Sequence, residues 1–169
     1  MEVEDSGVKM KAPSDNTAND IRRHCYRLIN RRDYTRAELY RKLIARGYPT
    51  QDIEAELLRL TDLGFVDDRR AASMLLSHCE GSRYLGAFAC KEELRARGVD
   101  RQIIDELVFN DQGEIEKALK IVAKKTRHLK KFPFYVRLKK VYELLSRKGF
   151  DNSTITQVIK QYKEDEKEE

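Results

Sequence analysis

The chain of 169 residues has no tryptophan, only three prolines and eight glycines, and an aromatic content of 8%. Runs of alternating Val, Ile and Thr are missing, so no strand is expected and a sandwich or barrel is excluded. No apolar stretch approaches the roughly 20 residues of a transmembrane helix. The opening "MEVEDSGVKMKAPSDNTAND" lacks the basic start and apolar centre of a secretory signal. Cys25, Cys79 and Cys90 are an odd number of cysteines without CxxC spacing, which excludes a disulfide scaffold and fits a reduced, cytoplasmic compartment.

Catalytic signatures are equally scarce. The sequence holds no Ser/His/Asp signature, Gly-rich phosphate loop or HExxH motif, so neither an enzyme nor a cofactor is expected. Asp67-Asp68 is an adjacent carboxylate pair at a helix start, where aspartate serves as a structural cap. His24-Cys25, His78-Cys79 and Cys90 match no zinc-ligand spacing, and Cys25 and Cys79 fall on apolar stripes, so no metal is expected.

What the chain has in quantity is charge, 37% of all residues, in an uneven distribution. Arg22 to Arg46 contains nine Lys/Arg against Asp33 and Glu38, and Lys120 to Lys148 contains eleven against Glu143 alone. Residues 50–118 reverse the balance, with fifteen acids and nine bases. Basic outer thirds around an acidic middle suggest faces for different partners.

It also has a repeat. "LIARGYPTQDI" (43–53) returns as "LRARGVDRQII" (94–104) and "LLSRKGFDNSTI" (144–155), with Gly47, Gly98 and Gly149 spaced 51 residues apart (98 − 47 and 149 − 98). Glycine tolerates the left-handed conformation that ends a helix, so each copy reads as a helix stop, a turn and a restart. Apolar stripes at helical spacing surround the joints. The first group carries Ile21, Cys25, Leu28 and Ile29, then Leu39, Tyr40, Leu43 and Ile44, then Ile53, Leu57, Leu60 and Leu63. Thr35 and Glu38 form a capping-box pattern. The second carries Ala72, Leu75, Leu76 and Cys79, then Cys90 and Leu94, then Ile103, Ile104 and Leu107, with Asp67 or Asp68 as its first cap. The third carries Ile115, Leu119 and Val122, then Leu138, Val141, Tyr142 and Leu145, then Ile155, Val158, Ile159 and Tyr162, with Asn152 or Ser153 capping the last helix.

The expected architecture is therefore all-α: three tandem three-helix repeats at 20–64, 65–110 and 111–163, between a polar tail (1–19) and a charged end (164–169). Stacked repeats imply an elongated, curved molecule. Gly47, Asp67, Asp68, Gly98 and Gly149 are its structural joints, and a monomer is expected.

The basic segments are the candidate binding residues. Arg23, Arg27 and Arg31 form a stripe opposite Ile21, Cys25 and Leu28, with Arg36, Lys42 and Arg46 following. Lys124, Lys125, Arg127, Lys130 and Lys131 crowd one helix end, with Arg137, Lys139 and Lys140 beyond. Cations at this density can neutralise phosphates and make binding salt-dependent. "KKFPFYVR" interleaves Phe132, Phe134 and Tyr135 with them. No base-reading set of Asn, Gln and Arg is evident.

Taken together, "RRDYTRAELYRKLIARGY", "IEAELLRLTDLGFVDDRRAA", "EELRARGVDRQIIDEL" and "LLSRKGFDNSTITQVI" resemble the RecX regulatory proteins, which bind and restrain the RecA recombinase. The resemblance spans residues 20–162 and implies tandem three-helix repeats lodged in the groove of a RecA filament on DNA. It implies hindered ATP hydrolysis, strand exchange and repressor cleavage, with no catalytic residue or cofactor. Two positions depart from the family pattern: Ala71 stands where an aromatic is usual, and Ala87, Phe88 and Ala89 stand where basic residues are. Charged contacts are accordingly expected on the outer repeats, together with Arg83, Arg95 and Arg97. The expected function is negative modulation of RecA filaments, with only weak, unselective contact to single- or double-stranded DNA. Two other classes fit the composition: a stand-alone nucleic-acid-binding protein and a helical adaptor for an acidic partner.

Overall fold

Helix stops, more than helix starts, organise this chain. Where Gly47, Gly98 and Gly149 stand, φ is +80°, +79° and +80°. At each joint the glycine N–H bonds the carbonyl three residues back (Ile44, Arg95, Ser146), at 2.8–2.9 Å. The next N–H (Tyr48, Val99, Phe150) bonds the carbonyl five residues back, at 3.1–3.4 Å. That is a Schellman closure with an apolar residue after the glycine. Gly64 (φ +71°) makes a fourth copy with Phe65, inside the "LGFVDD" step.

The computed structural model describes residues 15–168, and these form helices without any strand among them. In chain order they are α1 (Asp15–Ile29), α2 (Arg36–Ile44), α3 (Thr50–Asp62), α4 (Asp68–Gly81), α5 (Ala87–Ala96), α6 (Arg101–Asp105), α7 (Asp111–Leu129), α8 (Phe134–Arg147) and α9 (Asn152–Glu168). α1 opens inside the segment read from sequence as a polar tail, while residues 1–14 lie outside the described ones. None of these helices is long and apolar enough to cross a membrane.

Two compact units result, one ending at Asp67 and one beginning at Asp68. The first unit holds α1–α3 around Ile21, Cys25, Leu39, Leu43, Ile53, Leu57 and Leu60, each fully buried. Burying one such aliphatic side chain is worth about 2 kcal/mol, against under about 1 for an exposed ion pair, so this core outweighs the charges around it. The capping box forms as the sequence spacing suggests: Glu38 N–H donates to Thr35 Oγ1 and Thr35 N–H to the Glu38 carboxylate, both at 3.1 Å. Leu63, expected on the apolar stripe of α3, is instead 55% exposed, because the helix ends at Asp62 and the chain turns at Gly64.

The second unit holds two cores, one under α4–α6 (Ala72, Cys79, Cys90, Leu94, Ile104) and one under α7–α9 (Ala118, Val122, Val141, Leu145, Val158). Backbone joins them. α5 begins at Gly86 without a side-chain cap of its own, and its first donors find partners in the third group. Gly86 N–H bonds Lys148 O at 2.8 Å, Phe88 N–H bonds Gly149 O at 3.2 Å, and Ala87 N–H bonds the Glu114 carboxylate at 2.9 Å. A Cβ on Gly86 would sit 2.6 Å from the Gly149 carbonyl carbon, and one on Gly149 would overlap Ala89. Gly86 and Ala89 are thus small because two chain segments touch there. Tyr84, with φ of +50°, turns its ring onto the third core. The last helix is capped by Asp151, whose carboxylate accepts from Thr154 N–H at 2.7 Å, and not by Asn152 or Ser153.

Candidate binding faces

In the third group Lys117 pairs with Glu114 and Glu80, but six other cations stand apart from carboxylates. Among the described residues, Lys124, Lys125, Arg127, Lys131, Lys139 and Lys140 make no ion pair. All but Lys140 are exposed. Two of the six instead lie over aromatic rings: Lys124 Nζ is 4.2 Å from the Tyr84 centroid, and Lys140 Nζ is 4.3 Å from that of Phe132. Arg137 is partly buried, with its guanidinium 5.4 Å from the Phe134 centroid, and Lys130 is exposed in the turn after α7.

The first group divides. Arg23 pairs with Asp20 at 3.7 Å, Arg36 with Glu54, and Arg32 with Glu38 at 2.8 Å. Arg27, Lys42 and Arg46 make no ion pair among the described residues, and the fold brings them together around His24, which is 8% exposed. Arg31 is exposed in the turn after α1, outside that trio. Burial, then the positive charge of Arg46, Arg27 and Lys42, hold the His24 imidazole below its ordinary 6.5.

Since the folded state resists taking this proton and the unfolded state accepts it near 6.5, stability is complete above that pH. It declines as the pH falls below it, until the folded imidazole also titrates. Melting temperature should therefore drop between pH 7 and 5.5, and His24→Gln should flatten that slope. An unchanged slope in the variant would remove His24 from the account.

The middle group is the opposite case. Arg83 and Arg97 bond Glu93 at 3.2 and 3.3 Å, and Arg95 bonds Glu92. Burial works against the Glu93 carboxylate, yet hydrogen bonds from Arg83 and Arg97 hold it below its ordinary range. These three arginines are occupied within their own group. The spacing Glu92–Arg95 and Glu93–Arg97, three and four along one helix, is a sequence signal for that pairing.

The remaining candidates are structural. α4 opens at Asp68, with Asp67 immediately before it. Cys25, Cys79 and Cys90 are fully buried in apolar cores, and burial pushes the Cys25 thiol up to about 11 and that of Cys90 to about 12. Among the described residues no group of three or more His, Cys, Asp and Glu is placed to hold a metal ion.

Sequence reasoning placed Tyr142 on the apolar stripe of its helix. The structure exposes 47% of it, and 75% of Tyr135. Both project from α8 at the exposed end of its core-facing arc. Tyr142 could have been suspected from Lys139 and Glu143, which follow it around the helical projection on the side away from Val141 and Leu145.

Fold and faces together define a class: tandem three-helix repeat proteins in which a subset of the outer groups' cations makes no ion pair among the described residues, while Arg83, Arg95 and Arg97 of the middle group are paired. Family models described as the first and third three-helix domains of RecX match residues 22–60 and 112–159. A "Regulatory protein RecX" of Chlorobium phaeobacteroides (strain BS1) is 32% identical over 135 residues, covering 80% of this chain and 88% of its own. One of Streptomyces coelicolor is 29% identical over 159 residues, covering 93% and 85%. The chain belongs to the RecX family of regulatory proteins. A crystal structure of RecX from Lactobacillus salivarius shares the fold with a TM-score of 0.77 at 19% identity, over 86% of this chain and 96% of that one.

Proposed function

We propose that this protein is a negative modulator of RecA filaments, restraining ATP hydrolysis, strand exchange and repressor cleavage through contacts made by its outer basic groups. The observation that carries this reading is the contrast in pairing among the described residues: the exposed Lys124, Lys125, Arg127, Lys131 and Lys139 of the third group make no ion pair, whereas Arg83, Arg95 and Arg97 of the middle group are matched. A filament on DNA offers phosphates and acidic protein at regular intervals, and several individually weak contacts add up along it by avidity. Arg27, Lys42 and Arg46 serve as the contact set of the first group. Gly47, Gly98 and Gly149 hold the helices that carry these faces.

The test is RecA ATPase on single-stranded DNA with increasing amounts of protein. The double substitution Lys125→Glu/Arg127→Glu should raise the concentration for half-inhibition by about tenfold or more, since each removed phosphate contact weakens binding severalfold at moderate salt. Arg95→Ala should leave it within about twofold, as expected for an already paired surface charge. A folded double variant that inhibits as well as the unchanged protein would overturn the contact assignment. Tight duplex binding at raised salt without the recombinase would instead favour a stand-alone nucleic-acid-binding protein.

A further inference from the structure

We infer that the outward face of α8 formed by Tyr135, Lys139 and Tyr142 is a stacking site for the bases of a single-stranded nucleic acid. At about 100° per residue these three positions fall within about 60° of one another around the helix, so they form one stripe. Val141 and Leu145, on the adjoining arc, are fully buried and fix which way the stripe faces. Tyr135 is 75% exposed and Tyr142 47%, although a ring of that size gains by burial when the fold offers a place. The Tyr142 hydroxyl hydrogen-bonds Asn152 Oδ1 at 3.3 Å, which restrains its ring from the hydroxyl end and leaves part of it open.

Along the axis the two tyrosines are separated by about 10 Å, seven residues at about 1.5 Å each. Lys139 stands between them, exposed and without an ion pair among the described residues. Lys131, in the turn before α8, extends the positive charge on the side of Tyr135. Two aromatic surfaces flanking one free ammonium match the alternation of base and phosphate in an extended strand. A base in a duplex already has both faces covered by its neighbours, so the rings favour strands whose bases are unstacked. Glu143, the one acid between residues 120 and 148, sits on the solvent side of this stripe and limits it there.

The site rests on the reading of the third group's cations as phosphate contacts, and adds to it the kind of strand preferred. Binding of the whole protein, without recombinase, to a fluorescently labelled oligothymidine and to a duplex of equal length tests both levels. Tyr135→Ala and Tyr142→Ala should each weaken oligothymidine binding by about fivefold or more, since stacking of one base is worth roughly 1–3 kcal/mol. Duplex binding should stay within twofold, and Tyr135→Phe, which keeps the ring, should bind oligothymidine as the unchanged protein does. Both side chains are exposed, and circular dichroism should show that the variants remain helical. If the unchanged protein binds neither nucleic acid, the phosphate-contact reading falls and the stacking site with it. If it binds both and the alanine variants lose nothing, or lose equally on both, stacking alone is overturned.

Discussion

Gly149→Ala is expected to destabilise the second unit by roughly 2–5 kcal/mol, whereas Gly47→Ala, at the equivalent joint of the first, should cost roughly 1–2. Both glycines sit at φ of +80°, so both substitutions incur the left-handed strain of a residue with a Cβ. The difference is space. Nothing lies within 4 Å of a Cβ on Gly47, while a Cβ on Gly149 would overlap the Ala89 side chain and lie 2.9 Å from Ala89 Cα. Backbone cannot retreat as a flexible side chain does, so α5 and the α8–α9 turn must separate. Hydrogen exchange would show this directly, as lost protection of the Gly86 and Phe88 amides, which bond Lys148 O and Gly149 O. Equal costs at the two joints would mean that the close approach contributes nothing.

Glu114→Ala should be the next most damaging change, at roughly 2–4 kcal/mol, read from urea midpoints. The carboxylate is buried in α7 and works in two directions. It accepts from Ala87 N–H at 2.9 Å, supplying the cap that α5 lacks, and it pairs with Lys117. The Lys117 side chain is only 12% exposed and keeps weaker partners, Leu85 O at 3.1 Å and Glu80 at 3.4 Å. Removing Glu114 strands an amide donor and leaves a mostly buried ammonium poorly matched. Glu114→Gln retains an acceptor for Ala87 and should lose less than the alanine variant. Equal midpoints for Gln and Ala would show that only the charge matters.

Local features were legible because local physics decides them. The Thr35–Glu38 capping box and the left-handed glycines each depend on residues within about five positions, and each appears as read, while the stripes hold except at Ile44, Leu63 and Tyr142. Two errors were local, Leu63 just past the end of α3 and the cap of α9, which is Asp151; the others arose where a neighbour distant in sequence decides. Nothing in "LGAFACKEEL" reveals that Gly86 and Ala89 lie against Gly149, so the small residues there looked like a missing basic patch. Tyr142 adjoins Leu138 on the helical projection, so apolar spacing alone placed it on the core stripe, yet the fold leaves it 47% exposed.

The candidate faces show the same division. Cation density is visible in any window of sequence, but free and paired cations look alike. Arg95 and Arg97 could have been recognised as paired from the glutamates three and four residues before them. The bond of Arg83 to Glu93 joins a loop to the helix after it, and no periodicity announces it. Clustering of Arg27 with Lys42 and Arg46 around His24 likewise needs two helices to meet.

The backbone contact between Gly86 and Lys148 is also expected to order events during synthesis. The first three helices draw their core from residues 21–66, so this group is able to close as soon as that stretch has emerged. The second group is held back: the acceptors for its α5 amides are Glu114, Lys148 and Gly149, all synthesised later. Until they arrive, α5 has an uncapped start and Tyr84 lacks the core it packs on. Three copies of one unit are made in sequence, but the last two are expected to mature together.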